Sequence, residues 1–265
     1  MRRYLPFIII GIVLLATVGG GLLLLRSKQS GTPLKLAEGK PGAEPSHVRG
    51  GADARVTLEE FGDFQCPPCG FLAATLLKVE HDYAQSVRVV FRQFPLVMHA
   101  HAMTAARAAE AAGLQGHFWE MHDLLFQNSK SWGRPGPPPN GSAPPAAPPT
   151  VPAPSAETPA SIRAIFSGYA AQLGLDVDRF NRDMDTEEVK ARIKLDQARG
   201  ESVGVDRTPF LFINGTQIPF ASLGEKELRE VIDAALSGRT PAPPQSPTPA
   251  APQSAPLNPM PSPPK

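Results

Sequence analysis

Phe64-Gln65-Cys66-Pro67-Pro68-Cys69 contains the only two cysteines of the chain. A secreted domain stapled by disulfides spreads an even set of cysteines along its length. Here the pair lies within one helical turn, and so short a loop would staple little of the unfolded chain. Upstream, Val56-Thr57-Leu58-Glu59-Glu60-Phe61 reads as a short strand, and Gly62-Asp63-Phe64-Gln65 leads straight into the cysteines. Downstream, residues 70–84 read as a helix with Leu72, Leu76, Leu77, Val79 and Tyr83 on its apolar side. Val87-Arg88-Val89-Val90-Phe91-Arg92 follows as a second strand, which makes a right-handed, parallel βαβ unit.

A CxxC at a helix start has a mechanism behind it. The helix N-terminal amides and dipole stabilise a thiolate on the first cysteine. The second cysteine, one turn on, can attack a mixed disulfide. Cys66 is the expected nucleophile and Cys69 the resolving thiol. The alternatives are a half zinc site or two buried thiols. Zinc needs two further ligands, and the six histidines offer His99-x-His101 but no partner for the CxxC. The reading calls for no metal and no cofactor.

Beyond the βαβ unit come helical patterns. They fall at residues 102–112, 117–127, 161–173, 177–184 and 187–199, and together form a helical insert spanning about 99–200. Strands return at Pro209-Phe210-Leu211-Phe212-Ile213. Asn214-Gly215 is a strong hairpin signal, with Thr216-Gln217-Ile218 as the partner strand. Residues 224–236 read as a closing helix.

Composition sets the limits of the folded part. Of 31 prolines, 22 fall in the windows 135–159 and 241–265, which carry almost no large apolar residues. Such segments cannot bury enough surface to offset ordering, so a proline-rich loop (133–160) and tail (239–265) are expected to be disordered or extended. The tail could bind a polyproline-reading partner or simply be solvated. About 160 residues are left for one domain, within 55–238. The net charge of +1 and the lack of a basic segment argue against nucleic acid.

Leu5 to Leu25 is a 21-residue run without charge, flanked by Arg2, Arg3, Arg26 and Lys28. That length suits a bilayer span. Residues 1–26 are expected to be an uncleaved signal anchor, with a cleaved signal peptide as the alternative, because the apolar run continues past the small residues 17–21. Residues 27–54, rich in Gly, Pro and polar residues, are expected to be a juxtamembrane linker. Flanking charge alone does not place the bulk of the chain outside the cytoplasm.

Two segments carry a family likeness. Phe64-Gln65-Cys66-Pro67-Pro68-Cys69 follows strand one, and Val205-Asp206-Arg207-Thr208-Pro209-Phe210-Leu211-Phe212-Ile213-Asn214-Gly215 opens a ββα unit after a helical insert. This arrangement resembles the DsbA-like thiol–disulfide oxidoreductases, a branch of the thioredoxin-like α/β fold. The resemblance covers about residues 50–238 apart from the first proline window. It implies a cis Pro209 beside the cysteines, where a trans proline opening an edge strand is the alternative. It further implies that Thr208 offers backbone hydrogen bonds to a substrate strand. Glu60 falls in the place of a buried acid that relays the proton of the second thiol, although Glu59 and Asp63 are neighbours. Pro68 departs from the family's oxidases, which commonly carry a histidine there; proline at this place is what thioredoxin carries. That leaves the direction of the reaction open.

The expected protein is a membrane-anchored, extracytoplasmic thiol–disulfide oxidoreductase, on the periplasmic or cell-envelope side. It would introduce disulfides into exported, thiol-containing clients and be regenerated by a membrane redox partner. A reductase or isomerase of the same fold is the alternative, and a non-catalytic binding module is the rival from another class. His99 and His101 read as cap and surface residues, and His117 and His122 as helix-face residues. Phe64, Phe71 and Leu72 read either as an apolar rim for clients or as core.

Overall fold

Two β-branched, apolar stretches, Val56–Gly62 (β2) and Val87–Gln93 (β3), form the centre of the sheet. They belong to a computed structural model that describes residue 36 and residues 39–133 and 159–239. β2 and β3 are parallel, with Glu60 opposite Phe91, and are joined by helix Pro67–Tyr83 (α1). His47–Gly50 (β1) runs antiparallel to β3 on one side. On the other side Phe210–Ile213 (β4) runs antiparallel to β2, and Thr216–Ile218 (β5) closes the order β1-β3-β2-β4-β5. The β4–β5 turn is Asn214-Gly215, both at positive φ (47° and 78°), as a tight hairpin requires.

Between β3 and β4 stand Ala102–Gly113 (α2), Phe118–Gln127 (α3), Ser129–Trp132 (α4), Pro159–Gln172 (α5), Val177–Asp183 (α6) and Glu187–Ser202 (α7). Glu225–Leu236 (α8) follows the hairpin. Side chains alternate across a strand, and the core divides accordingly. Leu58, Val89 and Leu211 pack with Leu72, Leu76 and Val79 of α1 and with Leu228 and Ile232 of α8. Phe61 and Phe212 point the other way, onto Phe94, Val203 and Val205. A third cluster joins the alanines of α2 to Met121, Leu125, Trp132, Ile162 and Phe166 and reaches Cys69 and Ala73 of α1. The cysteines thus sit where sheet and helical insert meet.

Residue 36 and residues 39–54 differ from the expected linker. β1 is part of the sheet, and the segment before it is tied down residue by residue. Leu36 is buried and its N–H donates to the Gly215 carbonyl (2.9 Å). The Ala43 N–H donates to Asp196 Oδ1 (2.8 Å), and Arg92 Nη1 donates to the Ala43 carbonyl (2.7 Å). A four-residue edge strand with alternate residues exposed carries too little apolar pattern to stand out in the sequence. The apolar run 5–25 and the two proline-rich windows lie outside the described residues. Among the described residues no helix is long and apolar enough to cross a membrane.

Asp196 holds this arm to the body: it is buried and also accepts from the Gln93 N–H (3.1 Å) and Arg92 Nη1 (3.2 Å). Asp196→Ala is expected to cost about 3–5 kcal/mol by leaving these donors unpaired. Urea denaturation measures it; a loss below about 1 kcal/mol would show that the arm is held by other contacts.

Candidate active site

Cys66 occupies the N-cap of α1 with extended backbone (φ −79°, ψ 117°), and Pro67 and Pro68 fill the first two helical positions. Proline is tolerated there because those N–H groups have no intrahelical partner. The Cys66 N–H donates to the Asp63 carbonyl (3.0 Å), and the Cys69 N–H donates to the Cys66 carbonyl (3.0 Å). Cys66 Sγ donates to the Thr208 carbonyl at 3.4 Å, across a site whose far wall is the cis Thr208–Pro209 peptide. Sequence positions 142 residues apart therefore meet, as the resemblance implied.

The two thiols differ sharply in acidity. Cys66 is pushed down to about 6, chiefly by a hydrogen bond from the Cys69 side chain, against the opposing effect of its own burial. Cys69 is pushed up by burial, by that same hydrogen bond and by the neighbouring Glu60. Glu60, 1% exposed on the central strand, is raised to about 8 by burial and then by the charge on Cys66. Among the described residues neither of its carboxyl oxygens has a hydrogen-bond partner. Gly62 lets the Phe91 ring close over this region, since a Cβ at 62 would lie 2.5 Å from that ring.

The two other acids of the stretch are occupied. Glu59 pairs with Arg92 (2.9 Å) and Arg199 (2.8 Å). Asp63 is buried and accepts from the Gln65 N–H (2.7 Å), the Leu96 N–H (2.8 Å) and His99 Nδ1 (2.7 Å). Gln65, also buried, accepts from the His101 N–H (2.7 Å) and donates to the Gly133 carbonyl (3.1 Å). Asp63 and Gln65 thus brace the loop that delivers Cys66. Gln65 belongs to the signature segment and Asp63 neighbours Glu60, but the only sequence signal of their bracing role is that two polar residues flank Phe64 within an apolar run.

The histidines also differ from the expectation. His99 is bound to Asp63 and half-buried. His101 is buried at the α2 N-cap without a side-chain capping bond. His122 is buried among Phe64, Phe91, Trp119 and Phe126 rather than set on an open helix face. Among the described residues no group of three or more His, Cys, Asp or Glu is placed to hold a metal ion. Phe64 and Leu72 are core, whereas Phe71 is 77% exposed. Phe71 borders a groove of about 330 Å³ formed with Pro68, Leu72, Pro209, Phe220 and Leu223.

A family profile described as "Thioredoxin" matches residues 43–234, and the chain belongs to this thioredoxin family. Its match begins close to the point where the arm joins the fold. The chain is 34% identical over 193 residues to the Na(+)/H(+) antiporter NhaA 1 of Salinispora arenicola, covering 72% of this chain and 25% of that protein. It is 31% identical over 201 residues to the antiporter NhaA of Herminiimonas arsenicoxydans, covering 75% and 27%. It therefore spans about a quarter of the length of these curated relatives. The fold is shared with oxidised BdbD from Bacillus subtilis (TM-score 0.58, 21% identity, 78% of this chain and all of that one). It is shared also with Wolbachia pipientis alpha-DsbA1 (TM-score 0.55, 18% identity, 74% and 93%).

At pH 7 iodoacetamide is expected to modify Cys66 and spare Cys69, with the Cys66 rate reaching half its maximum near pH 6. Peptide mapping after labelling reads both. A second expectation concerns Glu60, whose folded value of about 8 lies above the ordinary 4.5. The folded protein holds this proton more tightly than the unfolded chain. The associated stability is fully present below about pH 4.5 and lost as pH rises towards 8. Relative to Glu60→Gln, the parent should therefore lose on the order of 4 kcal/mol across that window. Denaturation of the two proteins side by side from pH 4.5 to 9 checks it, and parallel curves would refute it.

Proposed function

We propose that this protein is a thiol–disulfide oxidoreductase that exchanges disulfides with thiol-containing client proteins through Cys66 and Cys69. One observation carries the reading: an acidified thiol at a helix N-terminus, facing the Thr208 carbonyl, with a buried, high-pKa thiol one turn behind it. In the oxidative direction a client thiolate attacks Cys66 Sγ of the Cys66–Cys69 disulfide. The S–S bond breaks, a mixed disulfide forms, and Cys69 leaves with the electron pair. Burial holds the Glu60 carboxyl above the usual carboxylate range, so it can give its proton to the departing sulfur and recover one later. A second client thiolate attacks the client sulfur of the mixed disulfide, and Cys66 leaves as a thiolate. The client has lost two electrons and the enzyme has gained them. Thr208, whose carbonyl faces Cys66, is proposed to pair with the client backbone, with Pro209 as the adjoining wall.

Oxidation is the direction we propose: with its pKa lowered, Cys66 leaves as a thiolate more readily than an ordinary thiol. A reductase or isomerase is the second reading, favoured by Pro68 in place of histidine. The uncharged run 5–25 supports anchoring in a membrane; placement on its outer side, where a membrane redox partner would regenerate the disulfide, follows from the thiol–disulfide reading. The matches to proteins named as antiporters agree with a membrane setting.

The deciding measurement is the reduction potential of Cys66–Cys69 against glutathione. A value closer to DsbA (~ −120 mV) than to thioredoxin (~ −270 mV) is expected, and one at the thioredoxin end would overturn the oxidative reading. Replacing both cysteines with serine should abolish client oxidation in cells. Unchanged client disulfides in that strain would point to a binding module instead.

A further inference from the structure

Gly70 is the fourth residue of α1, where glycine costs about 1 kcal/mol relative to alanine. Its backbone does not require glycine, because its φ is not positive. Packing does not require it either: a Cβ at this position would meet only Phe126 Cδ1, at 3.8 Å, an ordinary contact. What the missing side chain leaves is open space. A cavity of about 380 Å³ lies between the start of α1 and the α3–α4 corner, bordered by Cys66, Pro67, Phe71, Phe126, Gln127 and Lys130. Its floor is apolar, Lys130 is the one charged residue around it among the described residues, and Cys66 itself forms part of the wall. Exposed Phe71 separates it from the groove on the Pro209 side, so the cysteine pair is flanked by two depressions.

We propose that the Gly70 cavity is a specificity subsite that receives a bulky apolar side chain, aromatic or branched aliphatic, of an unfolded client, close in sequence to the client's reacting cysteine. The inference rests on the thiol–disulfide reading given above. The occupant follows from continuity with the reacting sulfur. A client cysteine bonded to Cys66 places its neighbours along the cavity, and in an extended chain residues two apart point to the same side. An apolar floor rewards a large apolar side chain, and Lys130 disfavours a cationic one.

The test uses the full-length oxidised protein and two-cysteine model peptides, read by the change in protein fluorescence as Cys66–Cys69 is reduced and the peptide disulfide forms. Phe, Ala or Lys is placed in turn at each position within two residues of one cysteine. At one position or more, Phe should react at least about tenfold faster than Ala, and Lys no faster than Ala. Gly70→Leu fills the cavity and should erase the Phe advantage. Its rates with the Ala peptide and with dithiothreitol should stay within about twofold of the parent. Equal rates for Phe and Ala at every position in the parent would overturn the subsite, and so would a Phe advantage that survives in Gly70→Leu. The parent peptide series decides the matter even where Gly70→Leu does not fold. If the parent disulfide reacts with neither peptide nor dithiothreitol, the thiol–disulfide reading fails first and the subsite with it.

Discussion

The closeness of the Cys69 thiol to Cys66 is the constraint on which the site depends. It is the largest influence lowering the Cys66 pKa, and it exists because the two cysteines sit one turn apart at a helix start. Pro67 and Pro68 bring no N–H to the first two helical positions, so the helix offers fewer amides to a thiolate than an unsubstituted N-terminus would. That closeness needs α1 to begin one short loop after β2, and the loop keeps its shape because Asp63 accepts hydrogen bonds from Leu96 and His99, while Gln65 accepts one from His101 and donates one to the Gly133 carbonyl.

The way charge is distributed beneath the thiols follows from the two faces of the sheet. Glu59 and Glu60 are adjacent on β2 and therefore point to opposite sides. Glu59 meets two arginines and is an ordinary buried ion-pair member. Glu60 points towards α1, has no hydrogen-bond partner among the described residues, and is held by burial above the usual carboxylate range. A carboxyl group left unpaired in a core is costly. Here the cost coincides with a position behind the thiol that must gain and lose a proton.

Much of this was legible in the sequence, for identifiable reasons. The βαβ unit, the Asn214-Gly215 hairpin and the closing helix came from apolar periodicity and turn chemistry, and the observed elements lie within a few residues of the expected ones. β1 was not legible, because His47-Val48-Arg49-Gly50 has a single large apolar residue, and that residue is partly exposed. The sequence could narrow the buried acid only to Glu59, Glu60 and Asp63. Telling them apart needed Arg92, Arg199 and His99, which come from distant parts of the chain. His122 was misjudged because its burial is set by Phe64, Phe91 and Phe126, which the helical pattern of α3 does not reveal.

The hydrogen bond between Gln65 and the Gly133 carbonyl reaches further than its size suggests. Both ends of the stretch between α4 and α5 are fastened to the body: buried Trp132 meets Phe166 edge-on at 5.0 Å, and Gly133 is held by Gln65. Once the ends are pinned, doubling the length of chain between them costs only about 0.6 kcal/mol. Tension on its first residue is another matter. Part of any pull at Gly133 is delivered to Gln65, the residue directly before the reactive cysteine.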